Sequence, residues 1–269
     1  MGLWIVPAFV VLGLGNTVGY HRLLTHRAFR TSTSVRGAFA CLGALHAGPP
    51  LLRVGLHRLH HLRSDGPGDP HSPRGRGLWY AHSGWLLGPV SANRPLAAIF
   101  ALSGFGQQVR TLVHDVRRLA GQSPPIWLEL CPDLAGDPVL AFLERPFVTP
   151  ALFAMQVALV TWFGGAAGIA WLWALHLLLT NASWAVNSVC HGPAFGRAPH
   201  DTGDDSRDVP WLAPLTLGEA YHNTHHRYPR SARHGLDGGF DPSWWAIRAL
   251  VALRLASEPW LPRSARTPA

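Results

Sequence analysis

The sequence predicts an all-α integral-membrane helix bundle carrying a histidine-rich cap on its cytoplasmic side. Three observations predict it. Hydrophobic residues make up 48% of the 269 positions and charged ones only 14%, with a mean hydropathy of +0.10, too apolar for a disordered chain or an ordinary soluble domain. Long uncharged stretches recur along the chain. Histidine, at 16 residues, outnumbers the 15 Asp and Glu together, and imidazole is the commonest side-chain metal ligand. The net charge of +8 is carried by Arg scattered among Trp, Leu and Gly, which suits a membrane surface; no base-reading motif or aromatic-basic patch supports nucleic-acid binding.

The elements follow in chain order. Leu3 to Tyr20 is uncharged and long enough to span a bilayer. It has neither the basic n-region nor the A-x-A site of a signal peptide. Ala38 to Leu52 is apolar but is interrupted by Gly48-Pro49-Pro50, so it suits a helix lying against the membrane or within the fold. Asp65 to Arg76 is Gly/Pro-rich loop, and Leu96 to Phe105 is too short to cross. Residues 106–146 read as mixed and polar, with Pro124, Pro125 and Pro132 breaking any long helix. Thr149 to Val189 reads as a hairpin of two spans, 149–163 and 168–189, turning at Phe163 to Gly168. Pro242 to Leu255 has the Trp/Arg composition of an interfacial helix, and residues 257–269 read as a disordered tail. One span, at about 3–20, followed by a hairpin leaves 21–148 and 190–256 on the same face. These segments hold nearly all the Arg, so the face is predicted to be cytoplasmic.

On that face lie His21-Arg-Leu-Leu-Thr-His26, His57-Arg-Leu-His60-His61 and His222-Asn-Thr-His225-His226. In H-x-x-H-H the three rings fall within about 100° of a helical arc and can converge. The offset of five in the first cluster is about 140° on an α-helix, so this cluster is expected to straddle a helix end. With 16 His in 269 residues, roughly 0.06 such H-x-x-H-H windows are expected by chance, and two occur. So many imidazoles exceed the need of one zinc and predict a two-metal, all-nitrogen centre; ligand softness admits Fe, Zn, Cu or Ni. Cys41, Cys131 and Cys190 stand far apart and read as buried small apolar residues rather than ligands.

Further motifs accompany the boxes: Gly68-Asp69-Pro70-His71-Ser72-Pro73, His82-Ser83-Gly84-Trp85-Leu86, Asn181 through His191, and Gly218-Glu219-Ala220-Tyr221. With Arg230 to Gly235 and Asp241 to Trp245, they make the chain resemble the integral-membrane fatty acid desaturases of the acyl-CoA (stearoyl-CoA, delta-9) type, bacterial branch, over residues 10–256. The resemblance implies two irons held by His21, His26, His57, His60, His61, His191, His222, His225 and His226, with Asn187 acting through water. Trp184 and Ser183 match positions beside the acyl chain. The implied reaction removes two vicinal hydrogens from a saturated chain, with O₂ and two electrons from a small ferredoxin- or cytochrome-like protein. The acyl carrier is left open among CoA, carrier protein and phospholipid. Metal-bound rings need an acceptor on their second nitrogen, for which Asp65, Asp69 and Glu219 are the candidates.

Two departures stand out. The family has four spans and this sequence supplies three, so the first is expected to be missing. The aromatic residue that the family has four positions before the second box is Arg53 here, so chain length and double-bond position do not carry over. A related di-iron hydroxylase would use nearly the same ligands, and a non-enzymatic metal-binding homologue is the other alternative.

Overall fold

The computed structural model describes residues 2–86, 106–122 and 129–263. It is helical almost throughout; the strands among the described residues are one two-residue antiparallel pair, β1 (Arg30–Thr31) with β2 (Ala256–Ser257). The expected apolar residues 96–105, Pro124 and Pro125, and the tail from 264 onward lie outside the described residues.

The chain is helical from Gly2 to Thr25, but the winding changes along the way. A short 3₁₀ turn (Gly2–Trp4) leads into α1 (Ile5–Leu14), which passes into a π-helical segment, Gly15–Thr25. The outer turns are bare, with Leu3 93% and Trp4 69% exposed, whereas Val18, Tyr20 and Leu24 are buried. Close approach to the next helix, α2 (Thr33–Ala47), is possible because a Cβ on Gly15 would collide with the backbone of Leu42 and Gly43. Ser32 caps α2, its hydroxyl accepting from the Val35 N–H. α3 (Pro50–Arg63) follows after a bend of 82° at the Gly-Pro-Pro break, so the second apolar stretch turns inside the fold.

The hairpin is present as α7 (Val148–Ser188), interrupted at Gly165. There φ is 55° and ψ −140°, a conformation that side chains with a Cβ rarely adopt. The arms run back along each other, Phe153 meeting His176 with ring centroids 5.2 Å apart. Val148–His191 is the one helix among the described residues that is long and apolar enough to cross a membrane, and only 6% of its most apolar window is buried. That exposure separates it from the core helix of a soluble protein.

Between these lie α4 (Gly77–His82), α5 (Gly106–Leu119) and α6 (Pro138–Leu143); the last box is on α9 (His222–Arg227), after a short α8 (Ala213–Thr216). α10 (Pro242–Ala252) packs Ile247 against Val18 and Phe29. Two expectations change. Residues 257–263 are docked rather than disordered: Ser257 pairs with Arg30, and Trp260 exchanges backbone bonds with Ala28 and Ala232 at 2.8 Å. Cys41 is exposed, while Cys131 and Cys190 are buried as expected; Cys41 stands on the outer side of α2, where no element among the described residues covers it.

Candidate metal centre and acyl groove

The π-helical segment solves the spacing of the first box. Its bonds run from i to i+5, as in the His26 N–H to the His21 carbonyl at 3.1 Å, so residues five apart lie one above the other. His21 and His26 therefore share a face, with His26 at the helix end, as the offset of five required. α3 presents His57, His60 and His61; α9 presents His222, His225 and His226; His191 comes from the 3₁₀ turn Val189–His191 that ends α7.

The rings gather into two groups. His21, His26, His57, His61 and His225 form one, and His60, His191, His222 and His226 the other; within each group the ligand atoms lie within 4.8 Å of one another. Nε2 faces Nε2 at 3.1 Å for His21 and His225, 3.2 Å for His26 and His57, and 2.9 Å for His61 and His225. In the second group His222 and His226 face each other at 3.1 Å. The Nε2 atoms of His60 and His191 are buried without a partner.

The outer nitrogens explain this arrangement. His191 Nδ1 donates to Asp65 at 2.7 Å, His60 Nδ1 to Asp69 at 3.0 Å, and His226 Nδ1 to Asp204 at 2.6 Å; His21 Nδ1 lies 2.5 Å from Glu219. A neutral imidazole whose Nδ1 donates has only a lone pair at Nε2. Lone pairs facing one another in a buried site repel, and a cation between them removes the repulsion, so the donor set fits metal ions.

Electrostatics agrees. Burial, reinforced by neighbouring rings, pushes His26, His57, His61, His222 and His225 well below the ordinary imidazole value of 6.5. They stay neutral and able to ligate. Burial would raise the carboxyls, yet the bond from His60 holds Asp69 down at about 2, and contacts with His191 and His226 hold Asp65 and Asp204 lower still. Glu219 is also held well down against its burial, by His21 and by Arg22. Arg22 is fully buried, with Nε donating to Glu219 at 3.1 Å and Nη1 to Asp241 at 3.1 Å.

A largely apolar groove of ≈ 170 Å³ opens beside the rings of His21, His57 and His222. Trp184, Ser183 and Asn187 all line it; Ser183 Oγ accepts from Asn16 Nδ2 at 3.4 Å. Arg53, the departure noted in the sequence, also lines this groove. Two of the remaining histidines serve as supports: His82 bridges Ser188 at 2.9 Å and Asn181 at 3.0 Å, and His71 packs on His60 at 4.6 Å. Sequence reasoning missed Asp204, Asn16 and the inner role of Arg22. For Asp204 the available signal was the Asp204-Asp205 pair ahead of the last box.

The fatty acid desaturase family model matches residues 1–250. The chain belongs to the fatty acid desaturase family. Among relatives of this desaturase, the sn-1 stearoyl-lipid 9-desaturase of Anabaena variabilis is 33% identical over 269 residues, covering 96% of this chain and 83% of the relative. The acyl-CoA 5-desaturase AL21 of Anemone leveillei is 36% identical over 264 residues, 94% of this chain and 70% of the relative. The hex-5-enoyl-[acyl-carrier protein] acetylenase of Moorena producens is 30% identical over 267 residues, 92% and 69%. The desaturase is thus an oxidoreductase whose relatives take lipid-, CoA- and carrier-protein-linked chains.

Proposed function

We propose that the desaturase binds two irons and introduces a cis double bond, at delta-9 as the name of its Anabaena relative states, into a saturated acyl chain lying in the groove. The observation that carries this reading is the juxtaposition of two groups of inward-facing imidazole nitrogens with one wall of an apolar groove. His21, His26, His57, His61 and His225 would hold one ion; His60, His191, His222 and His226 the other, with Asn187 reaching it through water. When bound, the irons supply with O₂ the oxidising power that removal of hydrogen from an unactivated CH₂ requires, which no protein acid or base can provide.

The chain's own residues do the rest. The carboxylates of Asp65, Asp69, Asp204 and Glu219 fix ring orientation and keep the proton on Nδ1. Trp184, 4% exposed, gives the acyl chain a rigid wall, and the groove's apolar lining excludes water from the reacting carbons. Electrons come from a small ferredoxin- or cytochrome-like donor, docking on the Arg-rich cytoplasmic face, with the hairpin anchoring the enzyme as a multi-pass protein of the cell membrane. The acyl carrier is CoA, carrier protein or phospholipid.

The test is expression with a competent electron donor, mass-spectrometric location of double bonds in the cell's lipids, and iron analysis of the purified chain. New unsaturation with about two irons per chain is expected. A hydroxylated product in its place, or no product from iron-loaded protein, would overturn the reading.

A further inference from the structure

One end of the groove has chemistry that a hydrocarbon chain does not use. Arg53 lines it one helical turn before His57, and Trp85 and His46 line it too. Trp85 is 8% exposed and His46 4%, and among the described residues neither the indole N–H nor His46 Nδ1 has a partner. Behind Trp85 the Arg110 guanidinium sits 4.7 Å from the ring centroid.

Neither arginine is neutralised. Arg53 Nε donates to the Ala47 carbonyl at 2.6 Å, and among the described residues nothing accepts from its Nη groups and no carboxylate pairs with Arg53 or Arg110. No missing acid can come from elsewhere, because residues 87–105, 123–128 and 264–269 contain no Asp or Glu. Glu144, which reaches α3, accepts instead from the Leu51 N–H at 2.6 Å. Burial and the charge of Arg110 push Arg53 down to about 9, so the two like charges sit together at a cost. Buried charges and donors of this kind are normally paired.

We propose that this end of the groove binds an anionic oxygen group of the acyl substrate, with Arg53 as its principal contact, Trp85 Nε1–H as a second donor and Arg110 as a supporting charge. The group is a carboxylate or a phosphate; an ester or thioester carbonyl alone would leave the two charges uncompensated. Because Arg53 is on the same helix face as His57, four residues away, the anion site and the metal centre face the groove from one helix. Arg53 therefore acts as a specificity determinant that fixes the acyl chain along the groove by its charged group.

The inference rests on the groove being the acyl site. Its test is calorimetric titration of dodecanoate, dodecyl phosphate and dodecanol into the full-length, metal-loaded desaturase in nonionic micelles at about pH 8, where dodecanoate is ionised. At least one anion is expected to bind about tenfold or more tightly than dodecanol. Arg53→Met should abolish that preference, Arg53→Lys should retain part of it, and Trp85→Phe should reduce it. A lead for dodecanoate assigns a carboxylate-bearing chain, and a lead for dodecyl phosphate assigns a phosphate-bearing carrier or headgroup. If Arg53→Met does not fold, Trp85→Phe and Arg110→Met carry the comparison. Equal binding of all three probes to the native chain, or a preference that survives these variants, overturns the anion site alone. Binding of none of them overturns the acyl groove with it.

Discussion

At the scale of single residues, the centre depends on which nitrogen of each ring carries its proton. Asp65, Asp69 and Glu219 were legible in the sequence because each sits in a short motif beside a box. Asp204 was not, since it reaches His226 from a loop 22 positions earlier in the chain, and such contacts depend on how the loop folds back. Asp65 shows how tightly these acids are placed. It takes a left-handed φ of 55°, tolerated by Asp better than by most residues, while bonding to His191, Ser72 and the Asp205 N–H. Asp204→Asn should therefore weaken metal binding by about 10- to 100-fold, read as metal retained after graded chelation. Asp205→Asn, which touches only the exposed Arg74 through its side chain, should leave retention unchanged. Equal loss in both variants would remove the positioning role from Asp204.

At the scale of elements, the two H-x-x-H-H boxes and the hairpin could be read directly, because α-helical period and a run of glycines are local signals. The π winding could not, since Gly15–Thr25 carries no composition that distinguishes π from α; Gly15 and Gly19 along it pack closely against α2. α5 was also missed. Val109, Leu112, Val113, Val116 and Leu119 follow the 3.6-residue period, yet all are exposed, while Gln108, Thr111 and Asp115 are buried. Its apolar stripe faces outward, and Asp115 accepts from the Phe147 N–H at the start of α7. The hairpin turn offers a direct test. At Gly165 nothing lies within 4 Å of an added Cβ, so the backbone conformation alone resists substitution. Gly165→Val should lower stability by about 1–3 kcal/mol, visible as a lower Tm of the detergent-solubilised protein; an unchanged Tm would mean that the turn relaxes freely.

At the scale of the whole molecule, exposed apolar side chains mark the hairpin tip. Trp162 is 82% exposed and Phe163 80%, both at the hairpin tip, a distribution that a lipid environment accommodates and water does not. The fold class was legible from hydropathy and eight of the nine rings from spacing, while His191 came only through the family resemblance; the division of nine rings into five and four required the three-dimensional crossing of α3 and α9. That crossing also sets the acid response. The buried rings stay neutral when folded but take up protons near 6.5 once unfolded. Below about pH 6.5 the unfolded chain thus binds more protons than the folded one. Stability should be level from about pH 7 to 8 and should fall progressively from about 6.5 towards 5, with metal released over the same window. A Tm independent of pH across that range would show that the rings do not govern it.

The π-helical turn has one last consequence, for chain length rather than chemistry. A stretch that closes its bonds over five residues has one residue more per turn than its α counterpart. Removing a single small residue such as Thr17 would keep every ligand and nearly all the apolar surface, yet it would let the stretch rewind as α and turn His21 away from His57. The direction of the first ring is thus set by a count, and a gap of one position in this stretch would be a more severe change than many substitutions within it.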